Sequence, residues 1–375
     1  MTNRDLEKYL RKALVRPVEP AHPAAPFRHF IVIPVMDELE ELPGTLASLQ
    51  TALSTAGKDA PGILLVVNHG PHAAPERKAH NLELLELLRK GNFPGVLWVD
   101  AASPGKELAN GVGEARRIGM DTALSLLDLE DPEHAYIVCL DADSHVSPDY
   151  WQAILAEFAA RPEHGTLSIG VSHRTGKNEA EETAIRKYEK FMDDYVAELR
   201  NAGSPYAFHT IGSAMAIRAS VYVACGGMRV RSGGEDFYFL QAAAKVAPVW
   251  PMAAKVVHPA ARPSDRVPFG TGPAVRSLLA GEPLEVYSPK GFAALKELLD
   301  NVRQDAFCAP ESARNTLQPE TVRFLEERGF FRVWENVLKN TPDNAKAREQ
   351  AFHRWFDALK TLQFIRVFRE KTSAL

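Results

Sequence analysis

The sequence predicts an α/β protein whose mostly parallel sheet is covered by helices on both faces. Apolar runs rich in Val, Ile and Leu alternate with segments of helical periodicity between residues 30 and 162. Such continuous apolar strands are typical of a sheet that is buried on both faces. From about residue 290 only helical periodicity remains, which predicts a helical C-terminal extension. A content of 45% hydrophobic and 25% charged residues is that of an ordinary folded protein.

The N-terminal region, residues 1–26, is predicted to be a helix and a linker. The helix covers residues 4–15, because Leu6, Leu10 and Leu14 recur at every fourth position. The Pro- and Ala-rich stretch 18–26 cannot continue a helix for long and is therefore a linker.

The predicted central domain, residues 27–275, begins with regular alternation of strands and helices. Its strands are predicted at 30–35, 62–67, 95–100 and 136–141. The helices that cover them are predicted at 38–56, 81–91, 114–129 and 148–162. The less regular second part contains strands at 166–172 and 213–219, helices at 179–201 and 234–246, and a Pro- and Gly-rich loop at 256–275. Residues 276–375 form the helical extension.

Charge and cysteine content narrow the classes of function. The formal net charge of −4 does not favour binding to nucleic acid or to an anionic membrane. Cys139, Cys225 and Cys308 are far apart and odd in number, which argues against a disulfide framework or a Cys-rich zinc site and fits a reducing cytoplasm. The charged N-terminus lacks the apolar centre of a signal peptide, and no apolar run approaches the about 18–20 residues of a membrane span. Peripheral membrane contact stays open.

Two aspartates, Asp141 and Asp143, stand at the end of the strand predicted at 136–141. In a parallel α/β sheet, ligands bind beyond the carboxyl ends of the strands. Two carboxylates so close repel each other unless a cation or a set of donors holds them, and Mg²⁺ or Mn²⁺ suits such oxygen ligands. The alternative is a turn, because Asp and Ser favour turns and the next helix begins near Pro148. Taken alone, the motif favours the turn.

Four segments in a fixed order change that balance. They are FIVIPVMDELEELPGTLASL, ILLVVNHG, GVGEARRIGMDTAL with YIVCLDADSHVSPDYW, and IGSAMAIRASVYVACGGMRVRSGGEDFYFLQAAAK. Together, over about residues 27–260, they resemble the family 2 glycosyltransferases of the GT-A fold. The resemblance implies metal-dependent, inverting transfer of a sugar from a nucleotide-diphosphate donor to a hydroxyl acceptor that the sequence does not name. Asp141 and Asp143 would hold the Mn²⁺ or Mg²⁺ ion.

The resemblance also assigns an acceptor side. Asp236 matches the family's general base, and Glu235 beside it would orient the acceptor or the base. The alternative is that both are first-turn acids favoured by the helix dipole. His258 is a candidate third metal ligand, with His145 as its competitor; a histidine that is merely packed is the alternative.

Donor contacts are expected from residues in several segments. Asn68 replaces the family's usual aspartate after the second strand, so the nucleotide base stays open. Lys106, and Arg116 or Arg117, lie in the stretch that in the family is usually near the base and ribose; they could reach phosphate, and the alternative is that they are surface residues. Arg262 and Arg266 would contact phosphate from a loop whose FGTG segment could form a lid; the alternative is a solvated surface loop. The donor-binding candidates are Pro34, Val35, Glu38, Asn68, Lys106, Arg116, Asp141, Ala142, Arg262 and Arg266.

The aromatic C-terminal helices are expected to form a small core of their own. The alternative is an acceptor platform or a contact between copies of the chain in a homo-oligomer.

Other classes of function fit the sequence less well. A dinucleotide dehydrogenase would continue GVG at 111–113 with a glycine at 116, where this chain has Arg116. A nucleotidyltransferase that makes nucleotide-sugars would carry a Gly-rich, basic loop after the first strand. A non-catalytic nucleotide- or sugar-binding regulator would not need Asp141, Asp143 and Asp236 together. A zinc hydrolase would show an H-E-x-x-H motif, which is missing from the sequence.

Overall fold

The computed structural model describes residues 2–21, 27–231, 233–262, 270–284 and 286–369. The chain divides into two compact units. The first contains Met1–Tyr188 and Phe208–Glu282, and the second contains Glu189–Ala207 and Pro283–Leu375. The second unit therefore takes a segment from the middle of the chain in addition to the helical C-terminal region.

The first unit is built on a mixed sheet. Its strands are β1 (His29–Val35), β2 (Gly62–Asn68), β3 (Val96–Ala101), β4 (Tyr136–Cys139), β5 (Ser144–Val146), β6 (Thr166–Val171), β7 (Met215–Arg218) and β8 (Val249–Pro259). Within the described residues these eight strands form one sheet in the order β3-β2-β1-β4-β7-β6-β8-β5. The neighbours β3, β2, β1 and β4 are parallel, as are β6 and β8, whereas β7 and β5 run antiparallel to their neighbours. The predicted α/β class with a mostly parallel sheet is confirmed.

Helices cover this sheet. They are α1 (Asn3–Leu10), α2 (Leu42–Leu53), α3 (Pro75–Arg89), α4 (Gly111–Leu126), α5 (Tyr150–Ala160), the first half of α6 (Glu179–Asn201), α7 (Ala219–Ala224), α8 (Glu235–Ala244) and α9 (Thr271–Leu279). Helix α4 packs closely on the strands at Gly119, where a Cβ would come 2.3 Å from a methyl carbon of Val32. One core is shared by the sheet and by α2, α3 and α5, and the side chains of β1 and β2 are almost fully buried.

The structure differs from the predicted elements around the second aspartate. Strand β5 lies within the segment read as a turn, and it pairs with β8 so that His145 stands opposite His258. Three residues carry too little periodicity to be recognised as a strand without the partner. The predicted loop 256–275 also contains regular structure, the end of β8 and the start of α9.

The second unit has its own aromatic core. Besides the second half of α6, it contains α10 (Pro289–Arg303), α11 (Pro310–Thr316), α12 (Pro319–Glu327), α13 (Phe330–Lys339), α14 (Ala345–Trp355) and α15 (Ala358–Val367). Phe330 and Trp334 stack at 4.9 Å between ring centroids, and the Trp334 indole donates to the Phe307 carbonyl. The prediction of a separate small core is confirmed.

The described part of the chain contains no helix with the length and apolar character that a membrane crossing requires. Cys139, Cys225 and Cys308 are all free thiols.

Candidate active site

The predicted site residues gather at one edge of the sheet. Because β1, β2, β3 and β4 are parallel, their carboxyl ends lie along the same edge. Asp141 and Asp143 follow β4 there, between β4 and β5. The antiparallel strand β7 begins at this edge, since Met215 pairs with Cys139. The residues that follow β6 and the end of β8 reach the same edge.

Arg116 lies at the centre of a first group of carboxylates. It comes from α4 and is buried, with 5% of its surface exposed. One terminal nitrogen, Nη2, donates to Asp141 Oδ1 at 2.5 Å, and the other, Nη1, donates to Glu235 Oε1. Glu235 is buried in the first turn of α8. The predicted donor contact at Arg116 is thus directed, in this structure, at two acidic side chains.

Asp236 stands beside this group. Burial and the neighbouring Glu235 raise the pKa of Asp236 to about 6, and Asp141 acts in the same direction. Arg116 and the backbone N–H of Phe237 oppose the shift, the latter donating to Asp236 Oδ1 at 2.7 Å. A carboxylate whose pKa is close to neutrality can accept a proton from a hydroxyl more readily than an ordinary aspartate.

Arg262 lies in a second group of carboxylates. Its Nη2 donates to Asp143 Oδ2 at 3.1 Å and also to Glu38 Oε1. Although burial opposes the charged form, Glu38 and Asp143 raise the pKa of Arg262. The predicted partner Arg266 and the first residue of the FGTG segment lie in 263–269, outside the described residues.

Arg174 is a functional candidate that the sequence did not indicate. It follows β6, and its Nη2 donates to Glu41 Oε2 at 2.6 Å and to the backbone carbonyl of Asp143 at 3.2 Å. Its Nη1 lies 3.4 Å from Nε2 of His145. No local pattern singles out an arginine after a strand, so the pairing of β6 with β8 was needed to find it.

The two candidate metal-binding histidines have other partners. His258 Nδ1 lies 2.9 Å from the Ser172 carbonyl, and His258 Nε2 lies 2.8 Å from Ser147 Oγ. Because a carbonyl oxygen only accepts, Nδ1 carries a proton and donates to Ser172. His145 faces Arg174, as described above. Among the residues that the structure describes, no three His, Cys, Asp or Glu side chains form a ready-made metal site.

The candidates at the ends of β1 and β2 are engaged with the backbone. Pro34 and Val35 are buried in β1. The Asn68 amide donates to the carbonyls of Val35 at 3.1 Å and Val66 at 2.9 Å, which ties the end of β2 to that of β1. The backbone carbonyl of Ala142 accepts from Thr45 Oγ1 at 2.8 Å.

Lys106 and Arg117 are also held by acids. Lys106 Nζ donates to Asp100 Oδ2 at 2.9 Å. Burial acts to raise the pKa of Asp100, but hydrogen bonds from the Ser103 backbone and from Lys106 outweigh it and lower the pKa to about 2. Arg117 donates to the buried Asp121 at 2.5 Å. Neither cation stands free for phosphate in this structure.

The central segment of the chain matches the model of a known family. Residues 136–260 match the family model described as Glycosyl transferase family group 2. This range contains Asp141, Asp143, Glu235, Asp236 and His258, and the match confirms the predicted resemblance. A comparison with curated proteins finds no match.

Two solved structures are similar over most of the chain at low identity. S. aureus TarS 1–349 in complex with UDP-GlcNAc is 12% identical, with 90% of each chain covered and a TM-score of 0.43. Mannosyltransferase PcManGT from Pyrobaculum calidifontis, in complex with GDP-Man and Mn²⁺, is 14% identical, with 96% of this chain and 94% of that chain covered and a TM-score of 0.42. Similarity at this level does not assign a donor or a metal to this chain.

Proposed function

We propose that this chain, whose residues 136–260 match the model of glycosyl transferase family group 2, is a metal-dependent, inverting glycosyltransferase that moves a sugar from a nucleotide-diphosphate donor to a hydroxyl acceptor. One observation carries the proposal. The acids of the two motifs, Asp141 and Glu235, share the guanidinium of Arg116 although they lie far apart in the chain. Motif residues that fold into one polar cluster at the ligand-binding edge of the sheet support a shared chemical task.

Asp236 is the proposed general base. The acceptor hydroxyl oxygen attacks the anomeric carbon of the sugar as its proton passes to the Asp236 carboxylate. The bond between the anomeric carbon and the diphosphate oxygen breaks, and its electron pair leaves with the nucleoside diphosphate. The raised pKa of Asp236 supports this role, because the carboxylate is then basic enough to take the proton yet ionised above a pH of about 6.

Asp141 and Asp143 are the proposed ligands of Mn²⁺ or Mg²⁺. Carboxylate oxygens are the ligands that such ions prefer. Each of the two carboxylates already accepts a hydrogen bond from a guanidinium, so each occupies a place where a positive charge is accommodated. When bound, the ion would neutralise the charge that develops on the leaving diphosphate. His258 is the proposed third ligand, and its Nε2 would exchange the contact with Ser147 Oγ, now at 2.8 Å, for the ion.

Arg262 is the proposed phosphate contact. Its planar guanidinium can bind two phosphate oxygens at once. In this structure it donates to Asp143, a proposed ligand of the metal ion, and therefore lies beside the proposed diphosphate site. We expect it to exchange a carboxylate for the diphosphate when the donor binds.

A binding panel tests the proposal. Purified protein is titrated with UDP, GDP, CDP and dTDP, each with Mn²⁺, with Mg²⁺ and with EDTA, by calorimetry and thermal shift. We expect one diphosphate to bind in the presence of metal and to lose most of its affinity in EDTA. The matching nucleotide-sugars are then assayed for slow hydrolysis. The proposal fails if no diphosphate binds with either metal.

A further inference from the structure

Arg116 connects the two halves of the candidate site. Its guanidinium donates to Asp141, which follows β4, and to Glu235, which begins α8. Asp141 belongs to the donor side of the proposed reaction, and Glu235 stands next to the proposed base Asp236. One buried side chain therefore bonds to both motifs.

The backbone around Arg116 makes room for this arrangement. A Cβ at Gly212 would come 2.5 Å from Arg116 Cζ, so a side chain at this position would push against the guanidinium. A Cβ at Gly113 would come 2.3 Å from the Arg231 carbonyl oxygen and 3.2 Å from Glu235 Cβ, so α4 lies close to the backbone that leads into α8 and to the first residue of α8. Bulkier residues at either position would separate the guanidinium from its acids.

Charge and geometry both call for arginine at this position. The Arg116 guanidinium is a cation at any working pH, and it donates to the carboxylates of Asp141 and Glu235. Three carboxylates around one guanidinium would repel each other without it. A planar guanidinium can donate to two separate carboxylates at fixed angles, whereas a lysine ammonium acts as a point charge.

We propose that Arg116 is a positioning residue, which fixes the Asp141 carboxylate on the donor side and the Glu235 carboxylate beside Asp236 in one hydrogen-bonded array, and does not bind the donor phosphate. The inference rests on the proposed function. Transfer requires the leaving group and the attacking hydroxyl to be aligned, and a displacement of about 1 Å can cost on the order of 100-fold in rate. Arg116 fixes the position of Asp141 on the donor side relative to that of Glu235 on the acceptor side.

A double-mutant cycle tests this role. Arg116→Gln, Glu235→Gln and the combined variant are assayed with the panel donor that the wild-type protein hydrolyses, and kcat and KM are measured separately. We expect kcat to fall about 100-fold in Arg116→Gln, with a smaller change in KM. The kcat of the combined variant should be no lower than that of the slower single variant, because each substitution removes the same contact between Arg116 and Glu235. A phosphate ligand would instead raise KM and act multiplicatively with Glu235→Gln.

The pH dependence of kcat distinguishes a positioning role from a merely structural one, which would leave that dependence unchanged. The charged groups around Asp236 are Glu235, Arg116 and Asp141. The Tyr188 hydroxyl is also near, because the charge of Asp236 acts to raise the pKa of that hydroxyl. The acid limb of kcat should move to higher pH in Arg116→Gln, which removes a cation, and to lower pH in Glu235→Gln, which removes an anion. Identical limbs in all variants would overturn the inference.

Arg116→Lys separates charge from geometry. We expect it to remain at least about tenfold impaired, because an ammonium does not reproduce the two directed contacts. Wild-type kcat in Arg116→Lys would contradict the positioning role. If Arg116→Gln does not fold, the cycle is run with Arg116→Lys. A wild-type protein that neither binds nor hydrolyses any panel donor contradicts the proposed function. If the wild-type protein is active but the falls in kcat of the two single variants multiply in the combined variant, only this inference is contradicted.

Discussion

The guanidinium of Arg262 lies 3.1 Å from the carboxylate of Asp143, measured from Nη2 to Oδ2. The same nitrogen donates to the buried Glu38. A side-chain cation therefore already neutralises one of the two aspartates proposed to bind metal. Metal and Arg262 must compete for Asp143, since both are attracted by the same carboxylate.

Arg262→Gln should change metal and donor affinity in opposite directions. Without nucleotide, Mn²⁺ should bind several-fold more tightly, because the competing cation is gone. The nucleoside diphosphate should bind about 10- to 100-fold more weakly in the presence of metal, because a charge-assisted hydrogen bond contributes roughly 1.5–3 kcal/mol. Electron paramagnetic resonance of free Mn²⁺ and calorimetry measure the two constants.

Arg276→Gln is the matched control for this experiment. It removes the same charge from an exposed position on α9 and should alter neither constant. Weaker Mn²⁺ binding in Arg262→Gln would show that Arg262 supports the metal site and does not compete with it.

Asp143→Ala should abolish the metal-dependent part of nucleotide binding. The change removes a proposed metal ligand and also leaves Arg262 without one of its acids. Calorimetry with the diphosphate, in Mn²⁺ and in EDTA, should give the same weak affinity. Asp149→Ala is the control, because this exposed residue precedes α5 without a side-chain cap. Full metal-dependent affinity in Asp143→Ala would exclude the residue as a ligand.

Asp236→Asn should spare binding and remove transfer. Asparagine has nearly the same shape but cannot take a proton from the acceptor, and general-base catalysis contributes about 100- to 10,000-fold. Diphosphate affinity should stay within about twofold, while donor turnover falls by that factor. Loss of binding as well would mean that Asp236 holds the donor or the local fold.

The rate of transfer should depend on pH through Asp236. Burial and the adjacent Glu235 raise the pKa of its carboxylate to about 6. A base is active only when deprotonated, so the rate should be full above about pH 7 and fall about tenfold per pH unit below about 6. Donor affinity measured over the same range separates this limb from any change in binding. A rate that stays constant down to pH 5 would contradict the assignment of Asp236 as the base.

A buried acid outside the site should be important for stability. The Asp121 carboxylate accepts hydrogen bonds from the hydroxyls of Tyr9 at 2.6 Å and Tyr222 at 2.8 Å. It also accepts from the Leu14 backbone at 2.7 Å and from Arg117 Nε at 2.5 Å. Asp121→Asn should destabilise the protein by about 3 kcal/mol, because it leaves a buried arginine without its counter-charge.

Urea unfolding followed by circular dichroism measures that loss. The control is Asp131→Asn, which affects an exposed pair with His134 and should cost less than about 0.5 kcal/mol. Equal unfolding midpoints in the two variants would show that the Asp121 network contributes no net stability.

Much of the first unit could be predicted from local sequence. The strand runs that became β1, β2 and β3 are apolar and β-branched, so burial on both faces of a sheet was the arrangement that removed them from water. The position of Asp141 after such a run placed it at the ligand-binding edge. Strand β5 could not be predicted, because its three residues become a strand only by pairing with β8.

Local hydrophobic patterns and motif order fix which residue types stand at the ends of the strands and at the start of α8. Which charged side chains meet depends on the folded chain. Arg116 lies 25 residues from Asp141 and 119 from Glu235, and Arg262 lies 119 residues from Asp143. The same holds for His258, whose ring nitrogens bind Ser147 and the Ser172 carbonyl. Side chains so far apart are brought together by sheet order and helix packing, because a buried charge must find an opposite charge wherever the fold provides one.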